Sequence, residues 1–339
     1  MAKRNETKKE KNRKRKILLA LLLVVFTGLI LTANTYAWFT SNKTITVDAI
    51  DVQVTTANGI QVSTDATNWK TVITNTDLNN TLLASTLYPT NVNQLPLKSS
   101  EGTVKPVSTG GTLASGKLKM YLGELGSDDN TGNALLSTTA SVETKGAGGD
   151  FVAFDLFFLV SQNSVVKLGA GSSVTTSTGA TNKGLKNAAR VAWINEGNAA
   201  TGNVSAAQGL ANGTTAVIWE PNNNVHTSAA IADALSTYGM NITASQVIPN
   251  YYGVDNVIAS PGVSLNPITA GTNFKQVTPT LSTADGALAA DQTWFSLNAG
   301  ITKVRFYLWI EGQDVDCENN ASGDAISFNM NFVLQDNNP

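Results

Sequence analysis

The sequence predicts one large all-β domain of two packed antiparallel sheets, with one or two short helices in its loops. Three observations predict it. Apolar residues recur with a period of two in several segments, the mark of strands. Stretches rich in Gly, Ser, Thr and Asn separate those segments. Charged residues make up only 14% of the chain, well below the usual quarter, which suits a neutral, hydroxyl-rich β surface.

The first 37 residues stand apart. Residues 1–16 carry nine Lys/Arg against Glu6 and Glu10, and an uncharged apolar run, Ile17 to Ala33, follows. With small residues Thr35 and Ala37 at −3 and −1, this reads as a secretory signal peptide cleaved between Ala37 and Trp38. The run is shorter than the roughly 20 apolar residues of a spanning helix, so contact with the membrane is expected only through this segment before cleavage. It holds +7 of charge, from nine basic and two acidic residues. The remainder therefore has 14 basic against 23 acidic residues, or −9, which argues against a nucleic-acid partner. The single cysteine, Cys317, excludes a disulfide within the chain and reads as a small buried hydrophobe; a sandwich of this size can be stabilised by its core alone.

After the leader, Phe39, Ile45, Val47 and Ala49 fall on odd positions, whereas Ile50, Val52 and Val54 fall on even ones. A one-residue change of phase reverses every side chain, so a bend or bulge is expected between Ala49 and Ile50. Two units result: an arm, 38–49, and the first strand, 50–56, of a single domain spanning 50–339. The first strand is expected to form a hairpin with Ile60 to Ser63 through Ala57-Asn58-Gly59, with Gly59 left-handed and Val54 opposite Val62.

Further strands are read in order. They are 117–123, 150–160 with apolar residues on both faces, 189–195, 215–221, then 303–312 and 325–334 with clear alternation. In the first of these Val304, Phe306, Leu308 and Ile310 alternate with Arg305, Tyr307, Trp309 and Glu311. Residues 227–239 alone have helical spacing, with Ile231, Ala234, Leu235 and Tyr238 on one side and Gly239 as the stop. The stretches 107–116, 169–184 and 197–213 read as long surface loops.

Signatures of catalysis are thin. The only histidine, His226, sits in a polar stretch that reads as solvated loop. No Gly-x-Ser-x-Gly elbow, Walker-type loop or His-Glu-x-x-His is present, which speaks against a secreted peptidase. The stretch EGQDVDCENNASGD gathers acids. It reads as a solvated acidic turn between two strands, and the alternative is a Ca²⁺ site on Asp314, Asp316 and Glu318. No cofactor is otherwise expected.

The stretch from ILLALLLVVF to ITVDAIDV resembles the leader and mature N-terminus of secreted fibre and pilus subunits of Gram-positive bacteria. These are the TasA/camelysin group and related clostridial pilins that assemble without sortase. VRFYLWIEGQDVDCENNASGDAISFNMNFVL is similar to the closing hairpin of such proteins. The likeness covers roughly 45 residues at the start and 35 at the end. It departs at Trp38-Phe39-Thr40-Ser41, where that group has a Phe-Ser-Asp-type segment. The resemblance implies a jelly-roll-like sandwich that polymerises head-to-tail by donor-strand exchange, with Phe39, Ile45, Val47 and Ala49 as plugs in the next copy. Burying roughly 300–400 Å² of apolar surface this way is worth on the order of 8–10 kcal/mol before entropy. The expected product is a non-covalent extracellular surface filament, in contact with host or matrix ligands. FVLQDNNP, at the end of the sequence, offers no sortase signal. The rival is a monomeric adhesin or carbohydrate-binding sandwich, with Trp69 or Trp219 facing ligand.

Overall fold

A computed structural model describes residues 45–55, 59–83, 86–95, 103–127, 132–283 and 293–336. The expected signal peptide, with the expected cleavage site at Ala37 and Trp38, and the expected plug Phe39 lie outside these residues. Strands of eight residues or more are labelled in chain order: β1 Ile45–Thr55, β2 Met120–Ser127, β3 Ala134–Ser141, β4 Val152–Val160, β5 Ala189–Ala199, β6 Gly300–Ile310 and β7 Ala325–Asp336. The helices are α1 Asn75–Leu83, α2 Val204–Gly209 and α3 Ser228–Tyr238.

Two sheets face each other. The first runs 293–297, 164–168, β7, β1, 72–73, with 173–176 also on β7 and 103–104 also on β1. The second runs 280–281, 216–220, β5, β6, β4, 61–63. Their facing sides share one apolar core, in which Ile50, Val52, Phe328, Met330 and Phe332 of the first sheet meet Phe154, Phe158, Val304 and Phe306 of the second. Ring contacts cross the gap between sheets, Phe158 to Phe332 and Phe306 to Phe332, both with centroids 5.7 Å apart. The fold is thus all-β and sandwich-like, as the period-two pattern requires. Pairing is antiparallel along most of both sheets, but β1 lies parallel to β7, and 216–220 is parallel to 280–281.

The second sheet is covered on its other side as well. There Phe151, Ala153, Ala192, Ile194, Tyr307 and Trp309 pack against Val107, Leu118, Met120, Tyr251 and Val277. Every residue of β6 is buried, so both of its alternating sets, Val304, Phe306, Leu308 and Ile310 and Arg305, Tyr307 and Trp309, are covered. The cause is this third layer, built from segments distant in sequence that alternation within β6 does not reveal. The same layer takes up part of the expected loop 107–116: Val107–Ser108 pairs with β2, and Leu113–Ala114 pairs with Lys117–Leu118. In 169–184, Ser173–Thr176 is a strand on β7, and α2 lies within 197–213.

The hairpin expected after the first strand is absent. β1 pairs instead with Val72–Ile73, while Gln61–Ser63 crosses to the opposite sheet and pairs with β4, Val62 opposite Phe158. Gly59 is left-handed as expected (φ +77°), but its turn carries the chain between sheets. Val54 and Val62 still share the core, approached from opposite sides.

The helical segment 227–239 forms α3, with the Thr227 hydroxyl accepting from Ala230 N–H and Gly239 left-handed at the C-terminus, as helix ends require. Of the expected inner face, Ala234 is buried and Ile231 and Tyr238 pack partly buried beside it, whereas Leu235 is exposed; Ala230, Asp233 and Thr237 are buried in addition. Cys317 is fully buried in the main core, and burial pushes its thiol pKa up. No helix among the described residues is long and apolar enough to cross a membrane.

Candidate functional site

The segment singled out by the sequence, β1, is one continuous strand across the expected boundary between arm and domain. Its partners along β7 run Val47 to Ile326, Ala49 to Ser327, Ile50 to Phe328, Val52 to Met330 and Val54 to Phe332. The register shift lies between Val47 and Ala49. The phase change read at Ala49/Ile50 is therefore real but sits one residue earlier, and Asp48 is the extra residue of the bulge. Ile45, Val47, Ile50, Val52 and Val54 all enter the core. Ala49 is half-buried, out of phase with the plugs. This corrects its assignment as a plug: the bulge hands the inward position to Ile50.

The other edge of β1 is covered piecemeal. Ile45 and Thr46 pair with Thr103–Val104, and Val52 and Gln53 with Val72–Ile73. Between those patches the Ile50 N–H donates to the Asn75 side-chain oxygen at 2.7 Å, so a side chain from the start of α1 stands in for a strand. The result is a slot, walled by β7 and two short edges, that an eleven-residue segment fills. In the single chain that segment is its own: Ile45 and Val47 are seated within the molecule that carries them.

The acidic turn between β6 and β7 is buried, which corrects its reading as solvated: Glu311, Asp314, Asp316, Glu318 and Asp324 are all nearly inaccessible. Nor do the three candidate Ca²⁺ ligands converge. Asp314 pairs with the Arg190 guanidinium, which also meets Glu220 at 3.1 Å. Asp316 meets the His226 ring at 2.7 Å. Glu318 caps the short helix 319–321 by accepting from Asn320 N–H. Among the described residues no group of three or more His, Cys, Asp or Glu is placed to hold a metal.

His226, expected in solvent, is buried with both nitrogens engaged, Nδ1 with Asp316 and Nε2 with the Gln246 carbonyl at 2.8 Å. Burial by itself would lower its pKa, but the hydrogen bond to Asp316 carries it up to about 9. Burial also raises Asp316, so the pair holds its shared proton more tightly than either group would in water. Neither nitrogen is left to activate a nucleophile. Trp219, nominated as a ligand contact, is fully buried, its indole N–H donating to Ser282 Oγ at 2.7 Å.

A second buried network escaped the sequence reading. Asp155 on β4 stands directly opposite Arg305 on β6. Arg305 donates to Asp155 at 3.0 Å and to Glu143 at 2.7 Å. Tyr88 donates to Asp155 at 2.6 Å, and Lys117 lies 2.9 Å from Glu143. Burial would raise both acids, but the Arg305 charge outweighs it and holds both below the ordinary carboxylate range. The available signal was charge inside two apolar strands, Asp155 alone in β4 and Arg305 with Lys303 in β6, since a buried charge needs a partner.

These networks set opposite limits on pH. Asp155 and Glu143, with depressed folded pKa values, contribute stability above ordinary carboxylate values and lose it as pH falls through their own. Burial raises Glu311 and Asp233 to about 7, and His226 stands at about 9. Groups so raised contribute fully below their unfolded pKa, and that contribution disappears as pH rises through the folded one. The melting temperature is therefore expected to peak near about pH 4 to 4.5, close to the ordinary carboxylate values, and to decline from there toward pH 9. In His226→Gln the part of that decline between about pH 6.5 and 9 should flatten. A melting temperature that rises steadily from pH 5 to 9 contradicts this assignment.

Compared with protein-family models, with curated proteins and with solved structures, the chain matches none.

Proposed function

We propose that the chain is a structural subunit of an extracellular pilus or fibre, polymerising without covalent links by placing its first strand in the slot of the next copy. The observation that supports this most is the pairing of β1. It lies parallel to a strand from the other end of the sequence and no hairpin ties the two together. Its inward side chains fill a slot whose other walls belong to the rest of the fold. The chain leaves β1 through 56–58 and Gly59 and then crosses to the opposite sheet. Exchange between copies would preserve every contact β1 makes and alter only that connection. A head-to-tail contact that does not close on itself yields a filament, and strand addition supplies both backbone hydrogen bonds and side-chain pockets.

The leader-like residues 1–37 support export, and the mature charge of −9 supports a protein that does not bind nucleic acid. The rival, a monomeric surface adhesin, draws on one observation: Ile45 and Val47 already complete their own core. Two proteins separate the readings, one starting at Trp38 and one at Ile50, which lacks Phe39, Ile45 and Val47. Negative-stain microscopy and size exclusion should give filaments from the first and none from the second. A monodisperse monomer from the chain starting at Trp38, at every concentration tried, refutes polymerisation and leaves the adhesin.

A further inference from the structure

A cavity of about 420 Å³ is walled by α3, by 246–252, by 265–268 and by the start of the acidic turn, within the size range of binding sites. Tyr251, Tyr252, Ile248 and Pro267 give it aromatic and aliphatic surface. Met240 and Val247 of the same wall are exposed, so that surface runs out to solvent, where a segment lying over it would gain burial. Gln246, Asn250 and Gln313 add amide groups to the wall, each able to donate and to accept. Aromatic side chains and the backbone of a polypeptide both find a match there, and the path of the chain selects which polypeptide.

We propose that this cavity seats Trp38 and Phe39, the aromatic start of the segment that leads into β1. Thr103–Val104 runs antiparallel to β1, with Val104 opposite Ile45 and Thr103 opposite Thr46. Residues 105–107 therefore leave Ile45 in the direction that residues 44, 43 and 42 must take from the end of β1. Val107 ends that path at the cavity's edge: its carbonyl accepts from Gly312 N–H at 2.9 Å, and Gln313 beside it is a wall residue. At about 3.3 Å per residue, the three steps from Val104 to Val107 and one interstrand crossing of about 5 Å make roughly 15 Å. Phe39 lies six residues before Ile45, a reach of about 20 Å in extended chain, so the segment is long enough. Trp38 and Phe39 are followed by the polar run Thr40-Ser41-Asn42-Lys43-Thr44, which suits a bridge between two apolar anchors. The inference goes beyond polymerisation, because the same segment precedes β1 whether the strand in the slot is the chain's own or the next copy's.

The test uses a chain of residues 38–339 carrying Thr40→Cys and Val247→Cys, which leaves both rings in place; the native Cys317 is buried and does not compete. A short bismaleimide should link position 40 to position 247. It should not link Thr40→Cys to Val72→Cys, since Val72 is exposed but lies opposite Gln53, toward the other end of β1. A link within one chain and a link between two chains both support the inference, and they report separately whether β1 is exchanged. Uptake of an apolar fluorescent dye reads the cavity itself. A chain starting at Ile45 keeps β1 whole and should bind severalfold more dye than the chain starting at Trp38. The double variant Trp38→Ala, Phe39→Ala in the longer chain should match the shorter one. Linkage of 40 to 247 no better than that of 40 to 72 overturns the proposal. So does equal dye binding by the longer and shorter chains, which would leave the cavity to a ligand from outside.

Discussion

A chain beginning at Gly59, and so lacking β1, is expected to lose its fold in isolation and to regain it when a peptide spanning residues 38–55 is added. Five inward side chains leave with the strand: Ile45, Val47, Ile50, Val52 and Val54. Full burial of each such side chain is worth roughly 1.5–3 kcal/mol, so together they supply on the order of 10 kcal/mol, less a discount for compact unfolded chains. The whole stability of a domain is about 5–15 kcal/mol. β7 also loses its ladder along that edge, where each hydrogen bond adds about 1 kcal/mol net. A peptide in trans restores the same contacts at the cost of association entropy, so rescue should saturate with peptide concentration. Circular dichroism melts and fluorescence anisotropy of labelled peptide read the two effects. The same peptide carrying Val47→Asp should not rescue, because it would bury an unpaired carboxylate. A truncated chain that melts within a few degrees of its parent and ignores the peptide would remove β1 from any structural role, in cis or in trans.

Arg305→Met is expected to destabilise the fold by about 3 kcal/mol, within the range seen when one partner of a buried pair is removed. Asp155 and Glu143 would then stay buried with weaker partners: Lys303 at 3.6 Å and Tyr88 for Asp155, Lys117 and Tyr307 for Glu143. The triple variant Arg305→Met, Asp155→Asn, Glu143→Gln should recover much of the loss, since the penalty comes from charges left without their counterion rather than from a lost attraction. Urea titration of the set reads this as a shift of midpoint at constant slope. A loss below about 1 kcal/mol in the single variant would place Arg305 among ordinary surface ion pairs, against its burial here.

Much of this molecule was legible because strands announce themselves through local alternation. The segments that became β4, β5, β6 and β7 were each read as strands, and Thr227 to Gly239 carried both ends of α3. The bulge in β1 was legible as a slip of phase, although one residue out. What failed concerned partners. The strand after Gly59 has the composition of a hairpin arm, yet it joins the opposite sheet, because a short apolar run fits either sheet equally well. His226 gave no local sign of burial, since its neighbours are polar. Its environment comes from Asp316 and the Gln246 carbonyl, groups remote in sequence.

By itself the sequence determined the class of fold, the positions of most of the long strands, β3 excepted, and the pair of phases that make β1 a plug for an apolar slot. These are properties of a residue and its near neighbours, where side-chain direction follows from the backbone period. Only the tertiary structure decided that β1 runs parallel to β7, that β6 is covered on both sides, and that the acidic turn lies inside with its charges matched. Burial and ion pairing depend on which distant segments meet. That meeting is set by the core as a whole, and no window of sequence contains it.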